Sequence, residues 1–293
     1  MHDILQTFGF GIVAAAILAL SAVAFTLEYG VTNVANVSHG EILTVSAYAA
    51  YLVHSRTGSA VAAALGAALA GGLVALAMYL SVIGPFIRFG ATPTVVFIAT
   101  LGISFMIQNF LVIGFGAENV AYTIDPGAPQ HIGPFLLTPL DEWIVLSAAA
   151  ITGVLYLIVS RTKFGKALRA VSQNRELARV TGINATRIAA TTFFLAGSIA
   201  GYAGFVLAES VGTFNPYFGF SFFLITLTAS VAGGLGRPFG TVAGAVIVGI
   251  VLEFAGSTVS ASYNLAFAFA ILAVVILVRP RGLFTNARRT VFE

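Results

Sequence analysis

The side chains that could do chemistry are few, and their densest group lies at residues 28–41, where the sequence reads EYGVTNVANVSHGE. Acids, Asn36 and His39 interrupt a segment that is otherwise hydrophobic. Polar groups at hydrocarbon depth are costly and are tolerated mainly where they face protein or a water-lined cavity. The stretch therefore predicts either polar contacts beside a transport path or an ordinary loop before a shorter helix from Ile42 to Val53.

The remaining polar residues form no catalytic or metal-binding pattern. The chain has no cysteine, which excludes thiolate chemistry and Cys-ligated metals. The Gly-x-Ser-x-Gly pattern of a nucleophile elbow does not occur. The histidines are scattered without the spacing of a metal site: His2, His39, His54 and His131. The sequence thus predicts neither an enzyme nor a metal site.

Length and composition predict an integral membrane protein. The 293 residues are 58% hydrophobic and only 9% charged. Hydrophobic runs, most of them near the ~20 residues that a helix needs to cross a bilayer, occur at about 5–27, 30–53, 59–84, 93–116, 143–160, 188–208, 219–235, 239–257 and 264–279. We expect an all-α polytopic membrane helix bundle, one domain from residue 1 to 293. It would have about eight or nine transmembrane helices, one of them broken or re-entrant if the polar stretch lies at membrane depth.

The distribution of charge predicts the orientation of this bundle. Residues 161–187 hold seven of the 14 Lys and Arg residues, and more follow in the tail after residue 279, so both segments are predicted to be cytoplasmic. Residues 117–142 carry acids and prolines but no Lys or Arg and are predicted to lie outside. The N-terminus is then outside if all nine runs cross, and inside if one early run is re-entrant.

The basic loop at residues 161–187 is predicted to contain two short helices. Its apolar residues recur at helical spacing, which indicates an amphipathic helix at a membrane surface: Phe164, Ala167, Leu168 and Val171. A second helix is predicted to begin at Asn174, a suitable N-cap, and to stop at Gly182. The simplest alternative is a loop whose positive charge only fixes orientation.

The same loop resembles a known family. The pattern Phe164-Gly165, Arg169-Ala170, Asn174, Ala178 and Gly182-Ile183-Asn184, followed by an apolar helix, resembles the cytoplasmic loop of bacterial ABC-importer permeases of the LivH/LivM branched-chain amino acid family. In that family the loop carries the coupling helix, which docks in a groove of the ATPase subunit. The resemblance implies these coupling residues: Phe164, Gly165, Arg169, Asn174, Arg175, Ala178, Arg179 and Gly182.

Three further stretches carry the resemblance, which covers about residues 30–284. Residues 36–41, Asn-Val-Ser-His-Gly-Glu, resemble the family's Asn-Phe-Ala-His-Gly-Glu signature and depart from it at Val37 and Ser38. Residues 233–240 resemble its Gly-Gly-Leu-Gly turn, and residues 279–284 its C-terminal signature. The glycine-rich turn follows an apolar helix and lacks the Gly-Lys-Ser/Thr of a phosphate loop. Its nearby Gly240, Gly244 and Gly249 are predicted to permit close helix packing.

Polar residues in other apolar helices complete the candidate translocation path. Gln108 and Asn109 lie in the middle of the fourth run, where they either bond neighbouring helices or line a cavity. A second polar interruption lies at residues 209–219. Two interrupted helices at corresponding places in the two halves of a chain are typical of a substrate path in transporters, but this stretch is also consistent with an external turn. The candidate path residues are Asn36, His39, Gly40, Glu41, Gln108, Asn109, Glu209 and Asn215.

The resemblance implies the permease subunit of an ATP-driven importer in the bacterial cytoplasmic (inner) membrane. Its partners would be a second permease subunit (LivM-like or a second copy), two ABC ATPase subunits, an extracytoplasmic substrate-binding protein and membrane lipid, with no nucleic acid. This chain would bind no cofactor, because the partner subunits hydrolyse ATP with Mg²⁺. The implied substrates are leucine, isoleucine and valine; related permeases carry urea, short amides or sugars. An ion-driven secondary transporter is the other class, and buried acids paired within the helices would favour it.

Overall fold

The chain folds into a bundle of α-helices, as the hydrophobic runs predicted. The structure is a computed structural model that describes residues 2–122, 124–133, 135–279 and 282–283. The helices are α1 (His2–Thr32), α2 (His39–Thr57), α3 (Ala60–Met78), α4 (Gly84–Arg88), α5 (Pro93–Phe115), α6 (Pro139–Arg161), α7 (Lys163–Gln173), α8 (Arg175–Val180), α9 (Ala185–Val211), α10 (Phe218–Gly233), α11 (Pro238–Thr258) and α12 (Asn264–Val278). A π-helical turn, Tyr79–Ile83, joins α3 to α4, and a 3-10 turn, Ala261–Tyr263, precedes α12.

Within the described residues, six helical stretches are long and apolar enough to cross a membrane: Ile4–Thr32, Ala60–Arg88, Pro93–Phe115, Pro139–Arg161, Ala185–Val211 and Pro238–Thr258. The chain is therefore a multi-pass membrane protein. The apolar helices α10 and α12 are shorter, with 16 and 15 residues, and the predicted number of eight or nine spans stays a prediction. The remaining one of the nine hydrophobic runs, the second along the sequence, corresponds to α2, which is more polar.

The second hydrophobic run is interrupted in the fold. Helix α1 continues to Thr32, and the chain then turns at Asn33, which has a left-handed φ of 54°. Helix α2 begins at His39 and ends at Thr57, where Gly58 closes it in the left-handed conformation. It is longer at both ends than the helix from Ile42 to Val53 that the sequence offered as an alternative.

The centre of the bundle is formed by α1, α2 and α9. Helix α1 packs against α11, α9 and α6, while α9 packs against α3 and α2. Helix α10 lies against α11, α12 and α2. The outer helices α3, α5, α6 and α12 expose many large apolar side chains, as expected of surfaces that contact lipid or another membrane subunit.

Small residues allow the central helices to approach closely. A Cβ atom added at Gly197 of α9 would overlap the backbone carbonyl of Gly71 in α3, so these two backbones touch. Such contacts are typical of membrane helices, whose association depends on close packing. The predicted packing role of Gly240, Gly244 and Gly249 is also confirmed, since a Cβ at each would meet the backbone of a neighbouring segment.

The connections divide the bundle into two ends. At the β-strand end, β1 (Val120–Ala121) pairs with β4 (Thr213–Phe214), and β2 (Gln130–Ile132) pairs with β3 (Phe135–Leu137). The N-terminal part of α1 lies here too, because the Leu136 amide donates to the Gln6 side chain at 2.9 Å. The strands were not predicted from the sequence.

The α8 end lies opposite, where α7 and α8 connect α6 to α9. Helix α10 runs from β4 at the β-strand end towards this end, where the Leu283 amide donates to the Ala232 carbonyl at 2.8 Å. The beginning of the C-terminal tail therefore lies at the end that holds the basic loop. The other tail positions of the predicted basic segment and family signature, Pro280, Arg281, Phe284, Arg288 and Arg289, lie outside the described residues.

Candidate functional site

The break between α1 and α2 places polar side chains inside the bundle. His39 bonds to Ser21 in the middle of α1, and Ser21 in turn bonds to Thr226 of α10, while Glu41 bonds to Gln108 of α5. Ser38 precedes α2 without giving it a side-chain cap, and the Glu41 amide donates to the Ser38 carbonyl at 3.1 Å. The break is thus held by side-chain bonds to surrounding helices, at a depth where water does not replace them.

Glu28 is the centre of the first polar cluster. Its carboxylate accepts from Asn36 Nδ2 at 2.8 Å and lies 3.1 Å from His39 Nδ1, and Ser38 Oγ donates to Asn36 Oδ1 at 2.6 Å. On its other side, the His39 ring lies 3.4 Å from Ser21 Oγ. All five side chains are fully or almost fully buried. The predicted residues Asn36 and His39 are therefore brought together by an acid that was not among the candidates.

Glu41 is the centre of a second cluster, between α2 and α5. Its Oε1 atom accepts from Gln108 Nε2 at 2.7 Å and from Ser104 Oγ at 2.9 Å. Within the described part of the chain, the buried Oε2 atom has no hydrogen-bond partner. Gln108 thus bonds one helix to another, one of the two roles that its position in the fourth run allowed.

Gly40 brings the start of α2 against α10. A Cβ at Gly40 would lie 2.7 Å from the Gly219 carbonyl oxygen and 3.0 Å from the Phe223 side chain. A larger residue would therefore push α10 away from the break. Gly40 contributes close backbone packing to the site and no side-chain chemistry.

Asn109 lies apart from the clusters, on the outward face of α5. Its side chain donates to the Phe105 carbonyl of its own helix at 2.7 Å, and large apolar residues around it, including Met106 and Phe110, are exposed. A polar residue on such a face is suited to contact a second membrane subunit or a water-filled path. Asn109 therefore does not share a site with Gln108, although the two are adjacent in sequence.

Glu209 and Asn215 lie at the β-strand end and do not join the clusters at the break. Glu209 is buried near the end of α9, and its Oε1 atom lacks a partner among the described residues. Burial and, secondly, the Glu209 charge raise the pKa of Tyr122, which stays protonated and donates to the Ala47 carbonyl at 2.6 Å. Asn215 accepts from the Tyr217 amide at 3.0 Å, as in the external turn that the sequence offered as one interpretation.

The basic loop forms the predicted pair of short helices, α7 and α8. Asn174 caps α8, since its Oδ1 accepts from the amides of Glu176 and Leu177 at 3.0 and 2.9 Å. The turn that closes α8 contains Gly182, whose φ is 84°, and the Ile183 amide donates to the carbonyl of Ala178 at 3.0 Å. This is the hydrogen-bond pattern of a Schellman motif. The predicted start and end of the second helix are confirmed.

Several predicted coupling residues point inwards. Ala178 is buried with Val171 and Ala185 beneath α8, so its side chain does not form part of the outward surface of that helix. Gly165 is buried, and a Cβ there would overlap the Val159 carbonyl. These small residues let the two helices lie close to the bundle, and a bulky replacement would disturb the helices themselves.

Some of the predicted coupling residues contact the bundle, and others are exposed. The Arg169 guanidinium donates to a carbonyl of α6, and that of Arg175 donates to the Tyr79 hydroxyl at 3.2 Å. Arg179 is exposed, whereas Phe164 is half-buried against the bundle core. These contacts hold α7 and α8 against the long helices.

Beside Arg179, the exposed surface of α8 includes two large apolar residues that were not predicted as site residues. Leu177 is 61% exposed and Val180 is 84% exposed, on a helix held in place from below. The sequence signal was present, because each of the two residues directly follows a charged residue, Glu176 or Arg179, in a loop that should face water. Within the residues described, no group of three His, Cys, Asp or Glu is arranged to hold a metal ion.

The sequence matches a known family along most of its length. A family model described as "Branched-chain amino acid transport system / permease component" matches residues 7–276. The high-affinity branched-chain amino acid transport system permease proteins LivH of Escherichia coli (strain K12) and LivH of Salmonella typhimurium are 28% and 27% identical to the chain, each over 95% of it and 94% of the relative. The corresponding permease protein BraD of Pseudomonas aeruginosa is 24% identical over 97% of the chain and 96% of the relative. No solved structure was found to match.

Proposed function

The chain belongs to the family of permease components of branched-chain amino acid transport systems, as its sequence motifs predicted, and we propose that it couples transport to ATP hydrolysis through α8. The observation that carries the proposal is the exposure of Leu177 and Val180 on a short helix capped at both ends. Large apolar side chains exposed between charged residues are typical of a surface that a protein partner covers. The proposed partners at this surface are ABC ATPase subunits.

The way α8 is held supports a mechanical role. Its outward side is free for docking, while Arg175 and the buried Ala178 fix its inward side to the bundle. A displacement imposed on the outward side would therefore be passed to the long helices as a rigid-body movement. We propose that ATP and Mg²⁺ are bound by the ATPases and that this chain contributes no nucleotide site and no catalytic residue.

The proposed pathway lies between this chain and a second permease subunit, either a LivM-like chain or a second copy. The polar Asn109 on the outward face of α5 supports this arrangement. The buried clusters around Glu28 and Glu41 would stand behind the pathway and fix the break between α1 and α2. We also propose Glu209 and Asn215, at the β-strand end, as residues near the entrance.

The proposed substrates are leucine, isoleucine and valine, which the family description supports. An extracytoplasmic binding protein would deliver them at the β-strand end. We place the protein in the bacterial cytoplasmic membrane, with α7 and α8 inside, because the basic residues concentrate there. This orientation puts the N-terminus outside, at the end where Gln6 bonds the strand segment.

The test is reconstitution of the complete importer in proteoliposomes, with the second permease subunit, two ATPases and the cognate binding protein. We expect leucine uptake that requires ATP and all subunits, and ATP hydrolysis that the loaded binding protein stimulates. The purified chain alone should hydrolyse no ATP. Leucine uptake by the chain alone, driven by an ion gradient, would overturn the proposal in favour of a secondary transporter.

A further inference from the structure

A deep groove separates α6 from α3 and α9. Its volume is about 890 Å³, and it is lined almost entirely by apolar side chains, with Leu140 at one end of α6 and Ile158 near the other. These two residues are 18 positions apart, which corresponds to ~27 Å along a helix. The groove therefore extends over most of the ~30 Å hydrocarbon layer of a bilayer.

The residues at the two ends of α6 support an orientation of this face towards lipid. Trp143, near its first turn, is 59% exposed, and Arg161 forms its last residue. Tryptophan concentrates at membrane interfaces and arginine at cytoplasmic boundaries. Between them, Leu146, Val154 and other large apolar side chains are exposed on the outward surface. The groove thus opens towards the acyl chains of the membrane.

Among the described residues, the polar side chains in the interior of the groove are already hydrogen-bonded to other protein groups. Tyr202 Oη donates to Ser147 Oγ at 2.6 Å, and Ser198 Oγ donates to the Phe194 carbonyl at 2.9 Å. Both serines and Tyr202 line the groove. An empty apolar gap forfeits van der Waals contacts along its walls, so a flexible hydrocarbon chain is the suitable occupant.

The charge at the β-strand end of the groove selects the head group. Asp125 is exposed and lines this end, and residues 117–142 contain several acids but no Lys or Arg. A carboxylate attracts an ammonium group and repels an anionic phosphate diester that lacks one. The end therefore suits a lipid whose head group carries a positive charge.

We propose that the groove binds a zwitterionic phospholipid of the leaflet at the β-strand end. Its ammonium head group lies at Asp125, and its acyl chains lie between α6, α3 and α9. Helices on several sides surround these chains, so the lipid is retained more strongly than a lipid at an open helix surface. It fills the space between α6 and its neighbours where protein side chains do not meet.

The experiment measures phospholipid that remains with the purified full-length chain after extensive detergent washing, by mass spectrometry. Phosphatidylethanolamine, phosphatidylcholine and anionic phosphatidylglycerol are supplied in equal amounts. We expect stoichiometric retention of the two zwitterionic lipids. Ala150→Phe fills the groove and should lower retention about tenfold, whereas Ala149→Phe, on the neighbouring exposed position outside the lining, should retain lipid like the unaltered chain. Asp125→Asn should remove the preference for the zwitterionic lipids.

A second measurement does not depend on the variants folding equally well. Trp143 is the only tryptophan of the chain and lines the groove. Phosphatidylethanolamine with brominated acyl chains should quench its fluorescence at lipid levels at which brominated phosphatidylglycerol does not. Selective retention of the anionic lipid would overturn the proposal, and so would equal lipid retention by Ala150→Phe and Ala149→Phe. The proposal would also be overturned if the Ala150→Phe variant, freed of lipid, no longer bound the second permease subunit. That result would show that the groove is a protein interface.

Discussion

The Arg175 guanidinium donates to the Tyr79 hydroxyl at 3.2 Å, although the two residues lie 96 positions apart. Arg175 begins α8, and Tyr79 begins the π-helical turn between α3 and α4. The Tyr79 ring also packs on Phe193 of α9, with the ring centroids 4.8 Å apart. The short helix is thereby connected to two long helices at a type of turn that is rare and often occurs at functional sites.

The first prediction concerns this connection. Tyr79→Phe removes the hydroxyl and leaves the half-buried Arg175 guanidinium without its side-chain partner. Hydrogen bonds to charged groups contribute ~1.5–3 kcal/mol, so we expect substrate-stimulated ATP hydrolysis and transport to fall by roughly tenfold or more. The ATPases should still co-purify, because Leu177 and Val180 remain exposed. The measurement is hydrolysis and uptake by the reconstituted importer.

A matched control for this variant is Tyr156→Phe. Tyr156 lies on the exposed surface of α6, with its ring packed against Phe239, and it is not connected to α8. Hydrolysis and uptake should remain near those of the unaltered protein. If Tyr79→Phe behaves like Tyr156→Phe, the bond between Arg175 and Tyr79 does not transmit movement.

The second prediction concerns the outward side of α8. Leu177→Ala and Val180→Ala each remove an exposed apolar side chain without changing the buried side of the helix. If these residues anchor the ATPase, each variant should weaken its binding by about 1–2 kcal/mol, or about five- to thirtyfold. The measurement is the affinity of the ATPase for the permease pair in nanodiscs.

Gln173→Ala provides the control, since Gln173 is exposed at the end of α7 and its side chain ends in a polar amide rather than in an apolar group. Its affinity should be unchanged. Unchanged ATPase affinity in both α8 variants would contradict the docking surface and would favour a loop that only fixes orientation. In that case removal of several Lys and Arg residues from the loop would invert the topology instead.

The sequence predicted the helices well because membrane helices are determined by long apolar runs. The ends of α8 were also predictable, since Asn174 and Gly182 act through local backbone bonds. The orientation of Ala178 was not, because a six-residue helix has too little periodicity to show which face is buried. Only the packing of α8 on α7 and α9 determines that Leu177 and Val180 face outwards.

The polar clusters could be predicted only where their residues are close together in the sequence. The stretch at residues 28–41 contains Glu28, Asn36 and His39, so their proximity could be anticipated from the chain itself. The bond from Gln108 to Glu41 spans 67 positions and depends on how α5 packs against α2. Asn109 is adjacent to Gln108 in the sequence. Only the orientation of α5 about its own axis determines that Gln108 faces α2 and that Asn109 lies on the exposed face.

The third prediction separates bonding from transport at Glu41. Glu41→Ala leaves the Gln108 amide and the Ser104 hydroxyl without their acceptor, which should lower the free energy of unfolding by about 2–3 kcal/mol. Glu41→Gln keeps an acceptor oxygen and should retain most of the stability. The measurement is thermal unfolding of the purified chain in detergent. Equal unfolding temperatures for the alanine variant and the unaltered chain would contradict the bridging role.

Transport by Glu41→Gln tests the pathway proposal separately. This variant keeps the packing between α2 and α5 but cannot carry a negative charge. A carboxylate that only bridges helices should leave leucine uptake per assembled importer unchanged. Strongly reduced uptake in a stable, assembled Glu41→Gln importer would instead show that the carboxylate acts on the pathway itself.

The fourth prediction concerns the contact between α3 and α9. Gly197→Ala would place a methyl group against the Gly71 carbonyl, so the two backbones must separate. Overpacking of this kind costs ~1–3 kcal/mol, and we expect a corresponding loss in the free energy of unfolding. The measurement is unfolding of the purified chain in mixed detergent micelles as the fraction of denaturing detergent rises.

Gly153→Ala is the matched control for Gly197→Ala. Gly153 lies within α6, and a Cβ there would have no neighbouring atom within 4 Å. Because alanine is the better helix former by ~1 kcal/mol, this variant should be neutral or slightly more stable. Both variants replace a glycine in a long apolar helix, so a difference between them reports the close approach of the backbones. Equal stability of the two variants would mean that α3 and α9 do not touch at Gly71 and Gly197.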